Sequence, residues 1–382
     1  MSLLDSKLPN VGTTIFTVMT RLAEEHGAVN LSQGFPDFDP PAGLIERVEH
    51  YLGVRCHQYA PMPGVTTLRS AIAGKLLDLY GVTADPDTEI TVTSGATEAI
   101  FCAVQALVRS GDEVIVFDPC YDSYEPSVTL AGGRVVHVPL TLPHFGIDWE
   151  ALRSSLNART RLVIVNSPHN PSGALLETAD LDRLAEVLRP WGCYVLSDEV
   201  YEHIIFDGKR HATVLAQPEL AERSLAVFSF GKTYHATGWK LGYAVGPAAL
   251  TAELRRVHQY VTFASVSPLQ FALADFLAAH PEHHRQLPEF YREKRDYFCE
   301  LLGQTRFEYQ PSAGTYFQLA DYSAISDLPD VEFARWLTTE QGVAVIPVSV
   351  FYRQPPAMRL VRFCFAKQPA TLDAAAARLA QL

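Results

Sequence analysis

The sequence predicts an α/β fold: a mostly parallel sheet with helices on both faces, followed by a smaller α+β unit. Three observations carry this. Short, fully apolar runs over residues 114–117, 162–165, 194–196 and 225–228 read as strands covered on both faces. Helix-period segments over 97–108 and 179–188 alternate with them, the βα rhythm of a parallel sheet. Past residue 280 the rhythm stops. An amphipathic helix over 281–302 precedes strand-like runs at 315–319, 343–346 and 360–365, a helix near 331–341 and an alanine-rich closing helix over 370–382.

A chain of 382 residues is long enough for two domains. The expected division is residues 1–40 as an N-terminal arm plus part of the small unit, 41–280 as the large unit and 281–382 as the rest of the small one. Residues 1–14 lack periodicity and read as the arm, while Leu31-Ser-Gln-Gly-Phe-Pro36 brings a turn toward a cleft. Hydrophobic content of 48% with 19% charged residues suits a soluble globular protein. No apolar run is long enough to span a membrane, and the first seven residues are too polar for a signal peptide. Six cysteines without a C-x-x-C pair read mostly as core thiols in a reducing cytoplasm. A net charge of −12 argues against nucleic acid as a partner.

In such sheets ligands gather beyond the carboxyl ends of the strands. Lys232 lies just past the run 225–228, with Ser229 before it and Lys240 after it between Gly238 and Gly242. A lysine to form an imine, with a hydroxyl and a cation to hold a phosphate, is the equipment of a pyridoxal phosphate (PLP) site. A P-loop is ruled out by Ala226, which stands where that motif requires glycine. A Ser-x-x-Lys acyl-transfer site is ruled out because its partners here read Ser197-Asp198-Glu199 and Lys232-Thr233-Tyr234. A solvated loop lysine is the plainer reading, outweighed because its neighbours fit one site.

Asp198, after the run 194–196, suits either a helix N-cap or a carboxylate beside a pyridine nitrogen. Ser94-Gly95-Ala96-Thr97 opens a helix, where three free N–H groups would seat an anion. Asn170 sits in a Pro/Asn/Gly turn, a rigid mount for an amide. Arg362 lies inside an apolar strand and needs a charged or hydrogen-bonding partner, either a structural acid or a substrate carboxylate.

Residues 229–242 resemble the cofactor-lysine signature of fold-type I PLP enzymes, specifically class I aminotransferases. Gly231 and Lys240 stand where many members have serine and arginine. That variant is similar to the branch of kynurenine/glutamine and bacterial methionine aminotransferases, as are Gln33-Gly-Phe-Pro-Asp-Phe38 and Phe230-Gly-Lys-Thr-Tyr-His235. The resemblance spans nearly the whole chain and implies a seven-stranded sheet with PLP on Lys232. It implies Asp198 at the pyridine nitrogen, Tyr201 and Asn170 at the phenolic oxygen, and Tyr121 stacked on the ring. Gly95, Ala96, Thr97, Ser229 and Lys240 then hold the phosphate, and Tyr59 reaches a neighbour's phosphate across a homodimer interface.

It also assigns Arg362 to the substrate's α-carboxylate, with Arg359, expected on the same strand face, as the alternative. Gly34 is expected to leave room beside that carboxylate. Phe16, Phe35, Tyr59 and Phe263 suggest an aromatic rim, and residues 258–267 contain no arginine for an acidic side chain. Methionine is the favoured donor, with glutamine, kynurenine, phenylalanine and leucine as further candidates. The rival readings are a cysteine-conjugate or cystathionine β-lyase on the same fold, and a non-catalytic sensor that kept it.

Overall fold

The strands run in chain order β1 (Val29–Asn30), β2 (Ile90–Thr93), β3 (Glu113–Asp118), β4 (Arg134–Pro139), β5 (Thr160–Asn166) and β6 (Tyr194–Asp198). They continue as β7 (Ser224–Ser229), β8 (Gly242–Val245), β9 (Phe317–Asp321), β10 (Val343–Ala344), β11 (Ile346–Pro347) and β12 (Leu360–Cys364). This is a computed structural model, and it describes residues 5–382; residues 1–4, the start of the expected arm, lie outside the described residues.

Seven strands form one sheet in the order β2-β8-β7-β6-β5-β3-β4, parallel except for β8, which is antiparallel to both neighbours. The apolar runs are strands because both their faces are buried. Val114, Val116, Leu162 and Ile164 pack into one cluster, while the alternate residues Ile115, Phe117, Val163 and Val165 pack into another on the opposite face. β4, at the sheet edge, is half-exposed and gives no comparable apolar signal.

Register sets the site. Asn166 pairs with Asp198, and Ser229 pairs with Gly242, which in turn pairs with Thr93. The carboxyl ends of β2, β5, β6 and β7 therefore open onto one edge.

Opposite that edge, β11, β12 and β9 form an antiparallel sheet. The single strand expected over 343–346 is split. Val343 and Ala344 pair with β1, then the chain changes partner and Ile346 pairs with Arg362 of β12. Met19 and Leu31 pack in the same apolar cluster as Phe317 and Phe363, so the N-terminal segment is held against this smaller sheet. No helix among the described residues is long and apolar enough to cross a membrane.

Candidate active site

A cleft of about 280 Å³ lies between the carboxyl ends of the large sheet and the residues Gly34, Phe317 and Arg362. One end is an anion seat. The helix Ala96–Leu107 starts beyond β2 with no side-chain cap, so its first N–H groups and the positive end of its dipole face the cleft. Gly95 has φ +80, and a Cβ there would lie 3.5 Å from Lys240 Nζ. Lys240 is itself left-handed, φ 52 and ψ 48, a strained backbone for a side-chain-bearing residue, and its ammonium stands at the seat. Ser229 makes no capping bond to the turn it opens, which leaves its hydroxyl for the cleft.

The seat is narrower than three free N–H groups. Gly95 N–H donates to Thr93 O (2.8 Å) and Ser94 N–H to Glu98 Oε2 (2.9 Å). The open donors are the N–H groups of Ala96 and Thr97, the Ser229 hydroxyl and Lys240. Gly95 contributes its conformation, and the Thr97 hydroxyl lies near the Tyr121 phenol. Burial, the largest effect on Tyr121, pushes its phenol up to about 12, and the ring lines the cleft wall.

Lys232 rides on the turn Phe230–Thr233 just past β7. Its Nζ donates to Tyr316 Oη (2.7 Å) and to Gly34 O (3.2 Å). Burial pushes this amine down to about 8. The glycine before it has a physical reason: a Cβ at Gly231 would come within 2.9 Å of Thr237 Cα.

Asp198 ends β6 and is buried. No helix follows it, so the N-cap reading fails. Tyr124 Oη donates to its Oδ2 (2.6 Å) and Val200 N–H approaches its Oδ1 (3.4 Å), with no cation paired to it among the described residues. Burial raises this carboxyl to about 6. Tyr201 is buried with its phenol pushed well up by burial, its ring edge-on to Tyr316 at 5.2 Å. Tyr124 and Tyr316 are missing from the sequence-based site. Their signal is weak: a tyrosine in a buried element wants a partner for its hydroxyl, but nothing local names that partner.

Arg362, in the middle of β12, has no exposed surface. Its Nη1 donates to Asn170 Oδ1 (2.7 Å), its Nη2 to Ser32 O (3.1 Å), and its guanidinium stacks 3.8 Å from the Phe317 ring centre. Nε has no partner, and among the described residues no acid is paired with this charge. Asn170 Oδ1 is committed to Arg362, so its amide nitrogen is the end left to donate.

Residues 26–379 match the family described as aminotransferase class I and II. The chain belongs to this family of aminotransferases.

It is 56% identical to the methionine aminotransferase of Escherichia coli K12 over 377 residues, covering 99% of this chain and 98% of that protein. A crystal structure from E. coli, reported with a methionine aminotransferase function, superposes with a TM-score of 0.98 at 56% identity over 100% of both chains. The chain is also 34% identical to mouse kynurenine–oxoglutarate transaminase 1 over 407 residues, covering 98% of this chain and 96% of that protein. The family works with PLP.

Some expected residues of this aminotransferase are not brought to its cleft. Phe16 lines it, but Phe35 does not: its carbonyl accepts from Lys367 Nζ and its half-exposed ring lies against that ammonium. Tyr59 is 85% exposed and packs edge-on against Phe263, which is 44% exposed, so neither borders the cleft of its own chain. Gly34 does line the cleft, and its lack of a side chain admits the Phe317 ring, which a Cβ there would meet at 2.9 Å. Arg359 does not share the face of Arg362. The two are three residues apart, an odd spacing that alternation along a strand sends to opposite sides, and Arg359 pairs with Asp327 at the surface (2.9 Å).

Proposed function

We propose that this aminotransferase holds PLP at Lys232 and moves the amino group of a neutral or aromatic amino acid, methionine foremost, to a 2-oxo acid. The supporting observation is the convergence in one cleft of a lysine amine pushed down to about 8, an anion seat and a buried guanidinium with no acid paired to it among the described residues. The donor set fits the cofactor. Buried Asp198, with no cation paired to it among the described residues, would keep a proton on the ring nitrogen. The N–H groups of Ala96 and Thr97, the Ser229 hydroxyl and Lys240 would hold the phosphate. Tyr201 and Asn170 would donate to the phenolic oxygen, and Tyr121 would cover the ring. When bound, PLP supplies a sink for the electrons left at the substrate Cα.

The chain's own residues do the rest. Arg362 binds the α-carboxylate with its planar fork, which fixes the Cα–H bond relative to Lys232. Lys232 Nζ takes the Cα proton and would return it to the cofactor carbon on the far side of the amino nitrogen, with Tyr316 Oη and Gly34 O orienting the amine. Phe16 and Phe317 give the substrate side chain an apolar wall. We also propose a cytoplasmic homodimer, divided near residues 40 and 280 with the cleft between the parts. The exposed cluster Tyr59, Tyr260 and Phe263 would meet a second copy, and Tyr59 would reach that copy's phosphate.

The test is a panel of amino donors against several oxo acids, followed by the absorbance change between the two cofactor forms. Methionine and aromatic donors are expected to turn over well and aspartate poorly. Aspartate turning over as fast as methionine overturns the substrate assignment.

A further inference from the structure

Behind the anion seat lies a buried polar cluster to which the chemistry above gives no role. Glu98, in the first turn of the helix Ala96–Leu107, gathers three polar partners. Ser94 N–H reaches its Oε2 (2.9 Å), while Cys102 Sγ (2.9 Å) and His258 Nδ1 (2.8 Å) meet its Oε1. His258 lies on the helix Ala248–Val261, and its side chain has no exposed surface. Its second nitrogen, Nε2, faces the carbonyl oxygen of Met62 at 3.1 Å.

A carbonyl oxygen only accepts, so Nε2 carries a hydrogen. The Nδ1–Oε1 line must hold another, because an imidazole lone pair and a carboxylate lone pair do not approach to 2.8 Å. Whichever atom holds that proton, the pair as a whole is neutral. Without it, a buried carboxylate would stand beside Ala96 and Thr97, where the phosphate is to sit.

We propose that His258 is a positioning residue that acts through Glu98: it keeps a proton on the pair and so cancels a negative charge behind the phosphate seat. Glu98 can then tie down the Ser94 N–H, and with it the turn carrying Gly95, without repelling the phosphate. This rests on the assignment of PLP to the cleft.

The experiment measures dissociation constants of PLP and of pyridoxal, which lacks the phosphate, for the full chain and three variants, with thermal melting to establish folding. His258→Gln keeps a donor toward Glu98 but cannot hold the proton, and is expected to weaken PLP by roughly tenfold or more while leaving pyridoxal unchanged. Glu98→Gln removes the charge and is expected to bind PLP like the native chain. The double variant is expected to recover native affinity, which a purely structural role for His258 does not allow. Equal losses in both single variants, no recovery in the double variant, or an equal loss for pyridoxal overturns the proposal. Glu98→Gln keeps the test decisive should His258→Gln not fold, since a loss there sinks the charge argument by itself. A native chain that binds neither ligand overturns the cofactor assignment and this inference together. Native PLP binding with an unmoved His258→Gln overturns this inference alone.

Discussion

The two walls of the cleft are built differently. The wall formed by the large sheet takes its polar groups from the ends of parallel strands, each within a few residues of an apolar run: Ser229 at the end of β7 and Lys232 after it, Asp198 at the end of β6, Asn170 after β5, and Ala96 and Thr97 after β2. The wall formed by the smaller sheet is assembled from Gly34, Phe317 and Arg362, which are far apart in the chain: β9 pairs with β12, and Gly34 packs against the Phe317 ring. The first wall offers donors and cations, the groups the proposed phosphorylated cofactor needs. The second offers a buried guanidinium framed by aromatic rings, with no acid paired to it among the described residues. Division of labour follows: damage to the first wall should act on the cofactor, and damage to the second on the amino acid.

The largest expected break in that contrast is Lys232→Ala. It should lower turnover by roughly 1,000- to 10,000-fold and abolish the borohydride-fixed label on the chain, read by mass spectrometry. A label persisting at another lysine refutes the assignment. On the opposite wall, Arg362→Ala should raise KM for amino acids by about 100-fold, in line with the ~2–5 kcal/mol lost when a buried charge partner is removed. PLP affinity should hardly move, and Arg359→Ala should change neither quantity. A large KM effect at Arg359 would reverse the roles of the two arginines.

A third prediction concerns pH. Burial raises Asp198 to about 6 in the cofactor-free protein, above its ordinary value of 3.8. The folded chain therefore holds this proton more tightly than the unfolded chain. Between those two values stability falls as pH rises, and the full penalty is present at pH 7. Asp198→Asn should thus raise the melting temperature of the cofactor-free protein by roughly 2–4 °C at pH 7 while lowering turnover. An unchanged or lower melting temperature at pH 7 contradicts the idea that this carboxylate is held uncompensated for a cationic ring nitrogen. The smallest effect is expected from Tyr316→Phe. It leaves Lys232 with Gly34 O as its remaining acceptor, and a single hydrogen bond contributes about 0.5–1.5 kcal/mol, so turnover should fall about two- to tenfold. A loss as great as that of Lys232→Ala would make Tyr316 a proton carrier rather than an orienting group.

What was legible follows the same contrast. The strands ending near Asp198, Asn170 and Ser229 announce themselves because burial on both faces demands unbroken apolar runs. Residues just beyond such runs inherit a place at one edge. Arg362 was legible as a charge in want of a partner, but its face relative to Arg359 needed the strand alternation counted correctly. Tyr124 and Tyr316 were not legible, because nothing local distinguishes a tyrosine that bonds Asp198 or Lys232 from one that fills a core. Phe35 reads as a rim residue from its position, yet Lys367, more than 300 residues away, holds its carbonyl and turns it out of the cleft.

Local sequence alone determined the α/β class, the strand ends and the identity of the lysine and its polar neighbours. These follow from hydrophobic periodicity and from chemistry confined to a few adjacent residues. Tertiary structure decided which N–H groups of the seat stay open, that Phe317 packs against Gly34, and that Glu98 and His258 meet behind the anion seat. Those outcomes depend on hydrogen bonds and contacts between segments far apart along the chain, and only the folded path brings such segments within reach.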